Sequence, residues 1–308
     1  MKMGKAGMST VAIFKKIDAE KAGMIVIDEE MLHRLQKTLF EMLIELDAFF
    51  CKFHIQYSLA GGSALGVVRH GGFIPWDDDV DLLMTRKEYE KLKEVFKAEM
   101  GDRYELQTPE DSQHYGLGLA RIRKKGTICR AREDFDNKEC GVYIDIFFIE
   151  NTYDFKPMRY VHGLLSLGFG FALSCRLFFE KRELYTRLAC KDEEILKAFH
   201  KKIMIGKCFS LISLDTWVHA WNHVNALCKN DSSKYVTVPA GRKHFFKETY
   251  KRTDVCEIER CKFKFEGKTV CFSLMKGVKE YLTLLYGDYM KLPNPEDIEK
   301  HVVLELKL

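Results

Sequence analysis

Proline and tryptophan are scarce in this sequence, at six and three of 308 residues, and no glycine or proline period runs through it, which excludes a collagen-like or proline-rich chain. Charge of one sign is lacking too. Forty-nine basic residues against forty-five acidic ones leave +4, too even for nucleic-acid binding by bulk charge, so no nucleic-acid partner is expected. Ten cysteines are present without a single CxxC, and a chain of this length can bury enough surface to fold without disulfide staples. The opening segment MKMGKAGMSTVAIFKK has no continuous apolar run of the kind a secretory signal needs, so reduced thiols in a cytoplasmic protein are the expectation. His219, His223 and Cys228 have spacings that suit one helical face and a zinc ion, but a helix surface with a packed thiol is the plainer account. Neither GxGxxG nor GxxxxGK[ST] occurs, so neither a dinucleotide fold nor a P-loop is supported. No internal repeat, low-complexity segment or exposed linker is visible.

What is present is an ordinary globular composition, 46% apolar and 31% charged, which excludes general disorder and a multi-span membrane protein. It divides into three stretches expected to form one body. In residues 1–56, Asp28 is a plausible helix N-cap, and Leu32, Leu35, Leu39, Leu43, Leu46 and Phe50 recur as the stripe of a long docking helix. Residues 57–150 alternate strands and helices, as in an α+β or α/β layer: strands at 57–60, 80–84, 104–107, 119–123 and 143–148, with a short helix at 64–69 and a longer one at 87–99. Residues 151–308 read as mainly helical, with helices at 161–179, 191–208, 213–228 and 274–285. A hairpin joins 261–265 to 269–272 through Glu266, Gly267 and Lys268.

Chemistry concentrates between residues 61 and 81. Asp77, Asp78, Asp79 and Asp81 repel one another and are costly beside an apolar core unless a cation is shared. Period two puts Asp79 and Asp81 on one face of the strand, half of an oxygen-ligand site for a hard cation. Gly61, Gly62 and Ser63 follow a strand and can offer backbone N–H groups to an anion at a helix start, with Arg69 beyond them. Asp145 is the only charge in the apolar run 141–149. Buried without a partner it would be expensive, so it faces either a metal or a basic residue, and it is placed to take a proton from an acceptor hydroxyl. Arg121, Arg123 and Lys125 are candidates for phosphate contact or a solvated strand end. Trp76 is a packing anchor or a stacking surface.

The run from Gly61 through Arg69, His70, Pro75, Trp76 and Asp77 to Asp81 resembles the signature of the LicD family, the phosphocholine transferases related to fukutin and fukutin-related protein. The late segment Leu285-Tyr286-Gly287-Asp288-Tyr289-Met290-Lys291-Leu292-Pro293 is similar to that family's C-terminal motif, and Tyr57–Ala60 and the Arg121-x-Arg123 stretch fit as well. The resemblance implies a polymerase-β-like nucleotidyltransferase core, a mixed sheet with flanking helices, plus a mainly helical C-terminal region. It makes Gly62-Ser63 the turn, Asp79 and Asp81 the acidic pair and Asp145 the third acid, together holding Mg2+ or Mn2+. Gly61, Gly62, Ser63, Arg69, His70, Trp76, Arg121, Arg123, Lys125, Asp288 and Tyr289 are the candidate nucleotide-donor contacts, and Arg69 is also expected to act with the three aspartates in catalysis by neutralising the transition state. The implied reaction moves a phospho-alcohol from a CDP-linked donor to a hydroxyl of a glycan or lipid-linked glycan, releasing CMP. Serine at 63, where threonine is common, is a minor departure, and residues 150–270 match least.

Two rival functions share these residues: nucleotidyl transfer from an NTP to a sugar phosphate or alcohol, and an inactive glycan-binding module. The apolar window 161–179, flanked by Arg159, Lys181 and Arg182, is read as a buried helix or as one that rests on a membrane surface, the inner face for a cytoplasmic protein.

Overall fold

A computed structural model describes residues 23–113, 115–131, 134, 137, 140–189, 192–240, 245–246, 249–294 and 302–308. The first elements follow local rules. After a two-residue strand β1 (Ile25–Val26), helix α1 (Glu29–Lys52) starts at Asp28, whose side chain accepts from the Met31 N–H at 2.8 Å, with Glu29 and Glu30 in the first turn. Strand β2 (Ser58–Leu59) leads into helix α2 (Gly61–His70), which begins three residues earlier than expected, on the glycines themselves. Strand β3 (Asp81–Thr85) passes directly into α3 (Arg86–Met100), capped by the Thr85 hydroxyl.

Strands β4 (Tyr104–Gln107), β5 (Ala120–Lys124), β6 (Ile128–Arg130) and β7 (Tyr143–Asn151) come next. Four helices then form the helical region: α4 (Lys156–Glu180), α5 (Arg182–Leu188), α6 (Glu193–Cys208) and α7 (Leu214–Asn225). Asp192 and Ser213 cap α6 and α7, which trims the expected helices at both positions; Lys191 lies outside the described residues. The chain closes with β8 (Tyr235–Thr237), β9 (Thr249–Lys251), α8 (Arg252–Cys256), the hairpin β10 (Ile258–Phe265) and β11 (Lys268–Met275), α9 (Val278–Tyr286), β12 (Val302–Val303) and β13 (Glu305–Lys307). The hairpin turn is Glu266-Gly267, both at positive φ, the two-residue geometry that matches strand twist. Leu274 and Met275, expected to open a helix, end β11 instead. Both are buried in the core, and the helix starts only after Gly277.

The main sheet runs β2-β3-β7-β5-β4, with β8 and β9 continuing from β7. It is mixed: β3 and β7 are parallel and the other pairs antiparallel. Alternation sorts the two faces. Ile144, Ile146 and Phe148 of β7 and Leu82 and Met84 of β3 are buried on one face, which leaves Asp81, Leu83, Asp145 and Phe147 on the other. One hydrophobic core collects Leu35, Leu43 and Phe50 of α1, the sheet, the hairpin residues Phe263 and Phe272, and Leu282 of α9, so the N-terminal helix is part of the wall that supports the sheet. This is the mixed α/β core with flanking helices and a mainly helical C-terminal region that the sequence implies.

Polar clamps fix the parts around the site. The Arg260 guanidinium binds both Asp47 oxygens, at 2.6 and 2.7 Å, and Tyr57 donates to Asp47 at 2.6 Å, which ties the hairpin to α1. Arg86 bonds to Glu150, to Glu110 at 3.2 Å and to Asn222 at 2.7 Å, joining α3, β7 and α7.

Candidate active site

The first turn of α2 and the first residue of β3 build each other. Ser63 is 4% exposed, and its hydroxyl accepts from the Asp81 N–H at 3.0 Å; the Asp81 carbonyl accepts from the Ala60 N–H at 2.9 Å. Asp81 is therefore held at both main-chain groups by residues 60–63. Glycine is required there by space and by backbone. Gly61 sits at φ +49°, and a Cβ on it would lie 2.8 Å from Asp81 Oδ2; one on Gly62 would lie 2.6 Å from Asp77 Oδ2. Ala60 supplies no side-chain cap. The Gly61 N–H donates instead to the Tyr281 hydroxyl at 3.0 Å, from α9, 220 residues on. The loop before β3 is pinned from the other side, where Gln36 of α1 donates to the carbonyls of Ile74, at 3.2 Å, and Asp77, at 2.8 Å.

Two carboxylates thus stand against the N-terminal turn of α2, where partial positive charge favours them. The acidic run alone does not set Asp77 apart; what singles it out is its approach to Gly62. Asp79 lies just ahead of β3, which begins at Asp81, so the expected same-strand pairing of Asp79 with Asp81 is replaced by adjacency at the strand's entry. Its carboxyl is pushed well above the usual carboxylate range, first by burial and then by Asp81, Asp77, Asp78 and Asp145. On the neighbouring strand Asp145 pairs in register with Asp81, and its N–H donates to the Val80 carbonyl at 3.0 Å.

Of the two readings of Asp145, the basic partner is the one seen. Arg121, opposite it on β5 and 2% exposed, donates from Nε to Oδ1 at 2.6 Å and from Nη2 to Oδ2 at 3.0 Å, with its guanidinium 3.6 Å over the Tyr143 ring. Among the described residues no three His, Cys, Asp or Glu side chains form a ready-made cation cage. The donor set nevertheless fits a hard cation: it is all oxygen, and crowding of like charge around Asp79 is what a divalent ion would relieve.

The other expected site residues are distributed more widely. Arg69 lies in the last turn of α2, about 12 Å of helical rise from Gly61. It donates to the main-chain carbonyl of Tyr289 at 3.0 Å and to that of Lys291 at 3.4 Å, with His70 beside it. The C-terminal motif does fold back onto α2, but through carbonyl groups; Asp288 is exposed, and its carbonyl accepts from the Lys291 N–H. Asp77 is the carboxylate whose charge reaches the Arg69 guanidinium. His70 and Trp76 form an edge contact at 6.0 Å, and Trp76 packs against the main core. Arg123, 1% exposed, is spent inside the fold on Asp134 at 2.7 Å, Gln107 at 2.7 Å and the Gly141 carbonyl. Lys125 reaches the Gly101 carbonyl at 2.5 Å, at the far end of β5.

Sequence reasoning missed the cavity beside Asp81. It measures about 280 Å3 and is walled by Phe147, Tyr250, Tyr281 and Tyr286, with Gly61 at its floor; among the described residues Asp81 is the only charged one that lines it. Tyr281 is buried on the inner face of α9, and periodicity marks it as core; only the fold carries it to Gly61. A second cavity, of about 450 Å3, is lined by Gln107, Ser112, Gln113, Tyr115 and Asn137 together with the charged Asp134, Glu180 and Lys181 and the apolar Leu117 and Leu214, and its Tyr115 feels the charges of Arg121 and Asp145.

A mixed sheet with a Gly-Gly-Ser helix start facing acidic residues on two parallel strands defines a nucleotidyltransferase-like domain. Residues 54–162 match the LicD/FKTN/FKRP nucleotidyltransferase domain. It is 29% identical over 267 residues to the lipopolysaccharide cholinephosphotransferase LicD of Haemophilus influenzae, covering 82% of this chain and 89% of that protein. A segment of 47 residues is 45% identical to the ribitol 5-phosphate transferase FKRP of mouse and of human, 15% of this chain and 10% of theirs.

Proposed function

We propose that the protein transfers a phospho-alcohol from a CDP-linked donor to a hydroxyl of a glycan or glycolipid, releasing CMP, with Mg2+ or Mn2+ as cofactor. The observation that carries this reading is the meeting of carboxylates from β3 and β7 with the α2 helix start beside an aromatic cavity. The relative matched along most of both chains, named as a cholinephosphotransferase, supports it.

Asp79, Asp81 and Asp145 are the residues that would hold the cation, which when bound supplies positive charge to the transferring and leaving phosphate oxygens. The amides of Gly62 and Ser63 face the donor phosphates at the N-terminus of α2. Asp145, kept in place by both of its bonds to Arg121, receives the proton of the attacking hydroxyl. Phe147, Tyr250, Tyr281 and Tyr286 with Asp81 offer the walls that suit a cationic alcohol such as choline, since aromatic faces and a carboxylate both attract an organic cation. The second cavity, where Gln107, Ser112, Gln113 and Asn137 stand among Asp134, Glu180 and Lys181, offers hydrogen-bonding groups for a sugar acceptor. A cytoplasmic enzyme of cell-surface glycan assembly follows from that donor and acceptor.

The test is a product assay. Full-length protein is incubated with Mg2+ and CDP-choline, and separately with CTP and sugar phosphates, with bacterial cell-surface glycan as acceptor. CMP from the first mixture is the expected result. Pyrophosphate from the second, with no CMP from the first, would assign nucleotidyl transfer instead.

A further inference from the structure

Helix α4 has two unlike ends. Its last turns are interior: Ala172, Leu173, Cys175 and Phe178 are buried, and Arg176 donates to the Ile212 carbonyl at 3.1 Å and to Glu180 at 2.5 Å. Along its first four turns one side is equally well held. His162 shares a 2.7 Å hydrogen bond with the Val224 carbonyl, Ser166 donates to Asn225 at 2.6 Å, and Trp221 donates to the Ser166 carbonyl at 3.0 Å, all from α7. The opposite side is bare. Met158, Val161, Leu164, Leu165 and Phe171 are 46–61% exposed, and Phe155, just before the helix, is 66% exposed.

No Lys, Arg, Asp or Glu occurs from Tyr160 to Cys175, about 24 Å of helix. A contiguous apolar face of that length is unusual on a soluble monomer and marks an interaction surface. The segment that carries it is cationic. Residues 156–212, covering α4 to the start of α7, hold eleven Lys and Arg against five Asp and Glu, a net of +6 where the whole chain has +4. The rest of the sequence is therefore slightly acidic, and the positive charge is collected in the helical segment that carries the apolar face.

We infer that this face of α4 docks the protein on the surface of an anionic phospholipid membrane, with Phe155, Met158, Val161, Leu164, Leu165 and Phe171 entering the boundary between headgroups and acyl chains. The helix lies in the interface and does not cross it. It is long and apolar enough to span, but its α7-facing groups and buried last turns are committed to protein contacts. The charge selects the occupant. A second copy set face to face would oppose +6 with +6, whereas acidic headgroups neutralise it. The inference does not depend on which reaction the carboxylates catalyse.

The experiment is flotation of the full-length protein with vesicles of POPC and with POPC:POPG 70:30. Binding to the mixed vesicles at least tenfold tighter than to POPC alone, weakening as NaCl is raised, is expected. The double variant Val161→Glu, Leu165→Glu is expected to lose at least tenfold in binding while it keeps the wild-type melting temperature. If that variant fails to fold, Leu164→Trp supplies a second measurement: brominated lipids in the mixed vesicles should quench its added fluorescence. Protein that stays with the soluble fraction for both vesicles overturns the inference, as does added fluorescence in the Leu164→Trp variant that brominated lipids leave unquenched. A dimer that the glutamate variant dissociates, with no vesicle binding, also overturns it, in favour of self-association.

Discussion

Asp81 and Asp145 stand side by side on parallel strands, and the buried Arg121 guanidinium holds the second through both of its oxygens. Arg121→Met leaves Asp145 without its counter-charge among Asp79 and Asp81, and breaking such a buried pair from one side costs about 3–5 kcal/mol. The double variant Arg121→Met, Asp145→Asn removes both charges and should recover much of that stability without recovering turnover. Urea titration of the four proteins in the cycle measures the coupling. Equal loss in the single and the double variant would mean that Arg121 matters for packing over Tyr143, not for Asp145.

Ser63 holds the other carboxylate in place. Ser63→Ala leaves the Asp81 N–H without its acceptor in a nearly dry position, a loss of about 1–3 kcal/mol. Turnover should fall further than stability accounts for, because Asp81 loses the bond that sets its position. Ser63→Thr keeps the hydroxyl and should restore most of the activity. Melting temperature and CMP release for both variants decide it; activity in Ser63→Ala equal to that of Ser63→Thr would remove the positioning role.

Much of this arrangement was legible in the sequence because it is local. Asp28 and the Glu266-Gly267 turn declare themselves within a few residues, and β7 is visible as an apolar run broken by one charge. The Gly61–Asp81 motif marked the site. What could not be read is what needs the third dimension. Arg121 and Arg123 are two residues apart on one strand, yet the first meets Asp145 and the second is consumed by Asp134 and Gln107. Arg69 sits in the motif but spends its donors on the carbonyls of the C-terminal turn. Tyr281 joins the site from 220 residues away, and helix spacing cannot distinguish its hydroxyl from a core phenol. At Leu274-Met275 the apolar signal was right and the period was wrong, since a buried strand end and a short apolar helix look alike in sequence.

Asp79 carries a pH signature. Its carboxyl is raised in the folded protein, so the folded state binds that proton more tightly than the unfolded chain does. The linked stability is present below the ordinary carboxyl value near 3.8 and is lost as pH rises through the raised folded value. At neutral pH the unfolded chain ionises Asp79 freely while the folded site resists that charge, so the group opposes folding of the metal-free protein. Asp79→Asn should raise the melting temperature at pH 7 in EDTA, with about 2–4 °C for each kcal/mol relieved, and the difference should close as the pH is taken below 4. Millimolar Mg2+ should stabilise the wild type more than the variant. Thermal scans across pH, with and without Mg2+, check both statements; a lower melting temperature for the variant at pH 7 in EDTA would show that Asp79 is satisfied by its neighbours as it stands.

Tyr281 combines two roles that substitution can separate. Its hydroxyl accepts the Gly61 N–H at 3.0 Å, and its ring, 5.3 Å from that of Tyr250, walls the cavity beside Asp81. Tyr281→Phe removes the acceptor and keeps the wall. The lost bond is worth about 0.5–1.5 kcal/mol, and kcat should fall as the α2 turn loosens while the KM for CDP-choline stays within about threefold. Tyr281→Leu removes the aromatic face as well. A desolvated cation on such a face gains about 2 kcal/mol, so the KM for CDP-choline should rise by at least tenfold. A CDP-alcohol without positive charge, such as CDP-ribitol, loses no cation–π contact and should show the same KM with Phe or Leu at this position. Steady-state kinetics with both donors on both variants resolve the two roles: parallel losses for the charged and uncharged donors would make the cavity a shape filter rather than a cation site.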